Sequence, residues 1–463
     1  MIVDYTIEGT PVDKAKYYAK GFVLKDLDVR KRKIDRTNSG ENDFEVVCDF
    51  TGFLINEEND ILTVFPKHFP VENETLELDS QLLFKVLMKA QNKTPFSLIG
   101  QNTTSNFQSD YPFESFFNVY NYFLEFGLLF EDKKRVGVKQ NGKIKWKDTI
   151  SRSEFFVENG KTFLFPFYYE KKYNFSTFLT EAMVFVIDYT LIKFKYFINL
   201  ANTEREFPEF DFLGNREYVL EKLHSYRERE FKDATIELLD SLIRFFAQLK
   251  SGGNYYLKHY SFKGVWESMV QEYLEGNFDS FTNGELILSS NVHTASFGKP
   301  RFYPNSFNEK HFFQPDYYFV DEKGNQIIFD AKYYFQTKGM NYKQICYNLF
   351  LEGYIGKEFP DKVNRGTQFP DTVIESLGHS PKNNAEYFGF IQGEREAGRL
   401  NSKHCNIFSA LILPSEKRSR KQHFKLSSIY SMENTNLVIS EEYFNIREVM
   451  QYFVDKTYVI SGD

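Results

Sequence analysis

Asp316, Asp330 and Lys332 are the residues of this chain whose types and spacing suit hydrolytic chemistry. They lie in QPDYYFVDEKGNQIIFDAKYY, Gln314–Tyr334, surrounded by Tyr, Phe and Ile. Asp316 follows a proline, Asp330 stands 14 positions later, and Lys332 follows after one alanine. Residues two apart in a strand share a face, so Asp330 and Lys332 point one way. Ala331 points the other way with Ile327 and Phe329, which would anchor that face in a core. An antiparallel hairpin about Asp321–Asn325 (DEKGN) brings Asp316 beside Asp330 and Lys332. Pro315 suits the first position of a strand, where the ladder needs no N–H.

Two carboxylates and an ammonium at one corner match what phosphodiester hydrolysis requires. A hard divalent ion, Mg²⁺ or Mn²⁺, prefers oxygen ligands and keeps several waters. Asp316 and Asp330 are the expected ligands, with the Ala331 carbonyl as a further one. Such an ion polarises a phosphate oxygen and lowers the pKa of bound water. Lys332 would orient or help deprotonate the attacking water and offset transition-state charge. The competing reading is a hairpin whose ends carry ordinary solvated charges. The short motif alone does not separate the two.

The flanking sequence supplies elements to position this corner. Val265–Gly276 has apolar residues at Val265, Trp266, Met269, Val270, Tyr273 and Leu274, a single helical stripe with Gly276 placed as its C-cap. Strands are expected at Leu286–Leu288, Asp316–Val320, Gln326–Tyr333 and Ile407–Leu413, and a helix at Tyr342–Gly353. Asp361–Ala385, polar and rich in Gly, Pro and Asn, reads as an insertion loop. Upstream, Phe44–Phe69 alternates about NEEND as a hairpin, and Thr75–Gln91 reads as a helix. QNGK (Gln140–Lys143) and ENGK (Glu158–Lys161) are hairpin-turn signals, because Asn and Gly tolerate positive φ. Phe178–Leu200 and Glu217–Leu249 read as helices, and Lys250–Asn254 as a break. The expected division is a β-rich domain over 1–170, a helical connector over 171–252 and an α/β domain over 253–463.

Composition narrows the class. With 463 residues, 42% hydrophobic content and 51 Phe, the chain has material for several cores. Its net charge of −7 neither advertises nor excludes nucleic acid, since phosphate binding depends on a local basic face. The clusters Arg30–Lys33, Lys133–Arg135 and Lys417–Lys421 read singly as solvated loops. Cys48, Cys346 and Cys405 show no metal spacing, and His259, His293 and His311 none either, so neither zinc nor a disulfide framework is expected. That fits a reducing cytoplasm. The N-terminus lacks the apolar core of a signal peptide, and Phe178–Leu200 is interrupted by Glu181, Asp188, Lys193 and Lys195, so no membrane association is expected. There is no G-x-x-x-x-G-K-[ST] loop, so nucleotide hydrolysis is not expected of this chain.

The PD…DAK pattern resembles the PD-(D/E)xK nuclease superfamily. On that resemblance Glu267, in FKGVWESMV, is similar to the acidic residue on the helix before the motif. Gln344 and Tyr347, in KQICYNL, resemble a Q-x-x-x-Y element with one residue fewer. GFLINEENDILTVFPKHF, GKIKWKDTI (Gly142–Ile150), FKGVWESM and the motif hairpin together resemble the LlaJI-type restriction endonucleases. The resemblance implies an α/β fold (α+β overall) whose C-terminal restriction-endonuclease-like domain has a central mixed sheet. It implies catalytic roles for Asp316, Asp330, Lys332, Glu267 and Gln344, and a metal held by Asp316, Asp330, Ala331 and Glu267. It also implies double-stranded DNA as substrate and an McrC-like role beside a separate McrB-like AAA+ GTPase, GTP acting only through that partner. Residues 1–170 would then be the docking module. Dimerisation for double-strand cleavage is a further expectation. A self-sufficient endonuclease, or an inactive nuclease fold serving as an assembly subunit, are the alternatives.

Overall fold

The computed structural model describes residues 3–33, 44–92, 106–138, 142–250, 253–282, 285–292, 295–302, 312–321, 325–335, 339–352, 407–427 and 437–459. The expected insertion loop at 361–385, the centre of the DEKGN turn, His293, His311 and Cys405 lie outside the described residues. The chain packs as two compact units, Met1–Gln108 with Tyr256–Asp463, and Ser109–Tyr255. The division expected at 170 and 252 follows changes of element type along the sequence, whereas these units follow packing, and the two do not coincide.

The first unit contains two five-stranded sheets. In one, Thr51–Ile55 and Ile61–Phe65 pair antiparallel with Ile55 opposite Ile61, and every residue of both strands is buried. The expected NEEND hairpin closes there. The Asn56 side chain accepts the Asp60 N–H at 2.7 Å, and Asn59 adopts φ 61°, which asparagine tolerates well. Val3–Ile7 joins Ile61–Phe65 in parallel, and Tyr255–His259 and Phe107–Ser109 complete the sheet on its other side. The expected helix after this hairpin runs Leu76–Asn92.

The other sheet carries the motif. Its order is Tyr317–Val320, Gln326–Ala331, Ile407–Ser415, Val438–Asn445 and Ser419–Lys425. Gln326–Ala331 runs antiparallel to the first strand and parallel to Ile407–Ser415, which gives a mixed sheet. Sequence alternation led us to expect one buried face. Instead all six residues of Gln326–Ala331 are buried, as in an interior strand of an α/β sheet covered on both faces. Helix Phe262–Asn277 packs against this strand, and helix Tyr342–Glu352 against Ile407–Ser415.

Gly276 is not the C-cap of its helix. The helix continues to Asn277, with Phe278 capping it, and Gly276 faces Tyr452 of the C-terminal helix Ile446–Val454. A Cβ at position 276 would overlap the Tyr452 hydroxyl. Gly276→Ala is therefore expected to destabilise by about 1–3 kcal/mol through overpacking, against the gain of up to about 1 kcal/mol that alanine brings to an open helix position. A lowered urea midpoint, with Gly264→Ala in the same helix as the unhindered comparison, checks this; nothing stands within 4 Å of a Cβ there.

In the second unit, helix Phe178–Lys193 ends at Phe194, short of the expected Leu200. The single helix expected over Glu217–Leu249 is two, Arg216–Arg227 and Asp233–Gln248. Between them the Glu230 carboxylate accepts the N–H groups of Phe231 and Lys232, and Lys232 is extended, so local hydrogen bonds replace a helical turn. ENGK forms the expected hairpin, joining Glu154–Glu158 to Lys161–Phe165 with Asn159 and Gly160 at positive φ. The strands flanking QNGK, Glu131–Gly137 and Lys143–Ile144, each pair with Tyr169–Phe175 rather than with each other. Among the described residues no helix is long and apolar enough to cross a membrane.

Candidate active site

The hairpin register sets Tyr317 opposite Phe329, so Asp316 comes level with Asp330 at the open end. Asp316 Oδ2 accepts the Ala331 N–H at 3.1 Å, which fixes the first carboxylate across the ladder. Asp330 is fully buried, and the Lys332 ammonium stands directly against one of its oxygens. Neither Asp330 oxygen receives a well-formed hydrogen bond. The structure thus brings together three of the residues singled out by type and spacing.

The electrostatics follow from that crowding. Burial, the Asp330 carboxylate beside it and the nearby Glu267 push Asp316 up to about 7. Burial also opposes ionisation of Asp330, but the Asp316 carboxyl and the ammonium groups of Lys332 and Lys343 outweigh it and hold Asp330 below its usual range. The two carboxyls titrate as a pair that keeps one proton near neutrality.

Glu267, on helix Phe262–Asn277, is partly buried and lies 3.5 Å from Lys263 Nζ, one turn away. Its backbone carbonyl accepts the Tyr317 hydroxyl at 2.6 Å, tying the helix to the start of the hairpin. Its carboxylate reaches Asp316 through its field rather than by completing a cluster. Among the described residues no three His, Cys, Asp or Glu side chains form a group that holds a metal ion. A Mg²⁺ ion needs only one or two carboxylates, with waters and substrate oxygens filling its remaining positions. The buried Asp330 oxygens, beside the second carboxyl of Asp316, are a hard-oxygen donor set of that kind.

Gln344 and Tyr347 brace the corner from helix Tyr342–Glu352. Gln344 is fully buried and donates to the Ile328 carbonyl at 3.2 Å and to Ser409 Oγ at 2.6 Å, joining two central strands. Tyr347 donates to the Gln314 carbonyl at 2.6 Å, pinning the residue before Pro315. The shortened Q-x-x-Y spacing therefore reaches both halves of the hairpin.

Two features escaped the sequence reading. Lys343 Nζ lies 3.7 Å from Asp330 Oδ1 while its side chain stays half exposed, a second cation open to solvent at the corner. Its position next to Gln344 was the available signal. His423 Nε2 accepts the Asn341 N–H at 3.2 Å, and its Nδ1 lies 2.8 Å from Glu441, which steadies the entry to helix Tyr342–Glu352. Several cations of the basic clusters are paired: Arg30 with Asp49, Arg32 with Glu45, and Arg420 with Glu285 and Glu442.

A mixed sheet with a carboxylate pair and lysines at the open end of its edge hairpin is the frame in which the match to a family model falls, and that model points to restriction endonucleases. The chain belongs to the LlaJI restriction endonuclease family, whose model matches residues 50–346. That span includes Glu267, Asp316, Asp330, Lys332 and Gln344. A search of curated proteins finds no match. Among solved structures, the chain is similar to one in the half-complex from a tetradecameric assembly of Thermococcus gammatolerans McrB AAA+ hexamers with bound McrC. Identity is 11% and the TM-score 0.32, over 98% of this chain and 99% of that one.

Proposed function

We propose that this chain is the metal-dependent DNA-cleaving subunit of a bacterial restriction system, acting on double-stranded DNA in the cytoplasm. The observation that carries the reading is the convergence of Asp316, Asp330 and Lys332 at one partly buried corner, in a chain of a restriction endonuclease family. Asp316, Asp330 and the Ala331 carbonyl would hold Mg²⁺ or Mn²⁺, with Glu267 acting on Asp316 from the adjoining helix. The ion, when bound, supplies Lewis-acid polarisation of the phosphate and a water of lowered pKa. Lys332 orients the attacking water and offsets negative charge building on the phosphate. Lys343, half exposed and held charged by Asp330, Asp316 and Tyr347 against its burial, faces the approaching backbone. Gln344 keeps the strands beneath in register.

A McrB-like AAA+ GTPase is the proposed partner, and GTP acts only through it. The family resemblance of the N-terminal segments supports this, as does the lack of a phosphate loop in this sequence. Within the docking module proposed for residues 1–170, the hairpin Glu154–Glu158/Lys161–Phe165 exposes Phe155, Phe156, Val157, Phe163 and Phe165, an apolar surface suited to a protein partner. Two copies acting together would cut both strands. The deciding experiment is cleavage of duplex DNA by the full chain in Mg²⁺, with and without a candidate motor and GTP. Specific cleavage by the chain alone would replace the two-subunit reading with a self-sufficient enzyme. No cleavage under any condition, with no Mg²⁺ binding that Asp316→Ala removes, would leave an assembly subunit.

The proton held by the carboxyl pair gives a pH prediction. Asp316, raised above its unfolded value, favours the fold below about pH 4 and loses that contribution as pH rises through about 7. Below about 7 an entering cation must displace this proton. Apparent Mg²⁺ affinity is expected to rise about tenfold per pH unit up to about 7 and then flatten. Calorimetry in buffers of different ionisation enthalpy should show about one proton released per ion at pH 6. A pH-independent affinity would count against Asp316 as a ligand.

A further inference from the structure

The strand expected to reach Tyr333 ends at Ala331, and the chain runs on through Lys332 into Tyr333, Tyr334 and Phe335, which dock on the N-terminal sheet of the same unit. Tyr333 is buried and donates its hydroxyl to Glu8 Oε2 at 2.7 Å, across 325 positions of sequence. The same hydroxyl accepts the Lys67 N–H at 2.8 Å. Thr51 adds a hydrogen bond to Glu8 Oε2 at 3.0 Å, and Lys67 Nζ lies 3.2 Å from Glu8 Oε1 and over the Tyr333 ring. His68 Nε2 lies 3.2 Å from the Tyr334 carbonyl, and the Phe335 ring rests against His68. A Cβ on Gly9 would meet the Phe335 ring at 2.4 Å, so the turn after Val3–Ile7 is fitted closely to this segment.

We infer that Tyr333, clasped by Glu8 and Lys67, is a positioning residue that sets the direction of Lys332, so that the N-terminal sheet holds the corner in working geometry. Lys332 is joined to Tyr333 by one planar peptide unit, so fixing Tyr333 limits the rotation left to Lys332. The Lys332 N–H donates to the Ile412 carbonyl at 2.8 Å, a rung next to the clasp whose opening the clasp limits. A fully bonded buried network of this kind is rigid. The same contacts could serve only to join the two sheets. In that case, loosening them would lower stability without changing the chemistry. The inference rests on the proposed role of Lys332, and the test separates the two.

Tyr333→Phe in the full chain removes only the hydroxyl. Amide hydrogen exchange at Lys332 is expected to accelerate about tenfold or more, with exchange elsewhere in the motif sheet unchanged. In the cleavage assay kcat should fall about 10- to 100-fold, while KM and DNA binding in Ca²⁺ stay at wild-type values. Glu8→Gln, which keeps an acceptor for the hydroxyl, should retain most of the activity, and Glu8→Ala should behave like Tyr333→Phe. Unchanged Lys332 exchange in both Tyr333→Phe and Glu8→Ala overturns the inference, whether or not the chain cleaves DNA. So does wild-type kcat in Tyr333→Phe when Lys332→Ala is inactive. If Lys332→Ala cleaves as well as wild type, the role proposed for Lys332 falls instead, and the exchange measurement still decides the clasp.

Discussion

Asp330→Ala is expected to lower DNA cleavage by about 10³-fold or more while leaving the chain folded, because it removes the centre of the corner's electrostatics. Asp330 is the residue on which Lys332, Lys343 and Asp316 all act. Without it, two ammonium groups lose their shared counter-charge and a bound cation loses its most buried ligand. Asp316 also loses the neighbour that helps push its carboxyl upward, so the proton held near neutrality is released more readily. Some stability should be lost, since the largely buried Lys332 ammonium keeps its charge without its partner, and a urea midpoint measured beside the assay separates that loss from the loss of chemistry. Asp330→Asn tests the charge at nearly constant volume and should be as inactive. Cleavage within tenfold of wild type by either variant, with partner and cofactors supplied, would remove Asp330 from the mechanism.

The second large effect concerns folding. Lys258→Met should destabilise the first unit by about 3–5 kcal/mol, read as a lowered urea midpoint, because it strands a buried carboxylate. Lys258 Nζ lies 2.9 and 2.8 Å from the two oxygens of Asp28, and both residues are almost wholly excluded from solvent. Tyr260 donates to the same carboxylate at 2.8 Å, and Phe50 and Tyr256 line the ammonium. After the substitution Asp28 keeps two neutral donors, the Tyr260 hydroxyl and the Lys25 N–H at 2.6 Å, in place of a cation. Replacing both partners, as Asp28→Leu with Lys258→Met, should recover much of the loss, since no unpaired charge remains. A double variant no more stable than Lys258→Met would show that the carboxylate is not the source of the effect.

The corner was legible because its logic is local. Strand alternation and antiparallel pairing suffice to set Asp316, Asp330 and Lys332 together, and the register bears that geometry out. Local pattern also sufficed for the NEEND and ENGK hairpins and for helix Phe262–Asn277. It failed where burial contradicts polarity. Val438–Asn445, for which the sequence raised no expectation, is an interior strand, and its polar Ser440, Glu441 and Glu442 are all buried. Ser440 donates to Glu442 at 3.0 Å within the strand, while Arg420, 3.3 Å from Glu442, and His423, paired with Glu441, come from the neighbouring strand Ser419–Lys425. The clasp of Tyr333 by Glu8 and Lys67 was out of reach for the same reason. Gly276 shows a subtler miss: a glycine near a helix end reads as a stop, whereas here it makes room for a hydroxyl from another helix.

The sheet containing Val3–Ile7 places Tyr255–His259 next to Phe107–Ser109, and Tyr260 donates to the Asn106 carbonyl at 2.6 Å. The chain therefore departs for its second unit and comes back at neighbouring rungs of one ladder, a single strand spacing apart. Residues 109–255 lie between two points held on one ladder. An added residue between those points lengthens the excursion without moving the two rungs at which it begins and ends, and the cost of closing such a loop grows only slowly with its length.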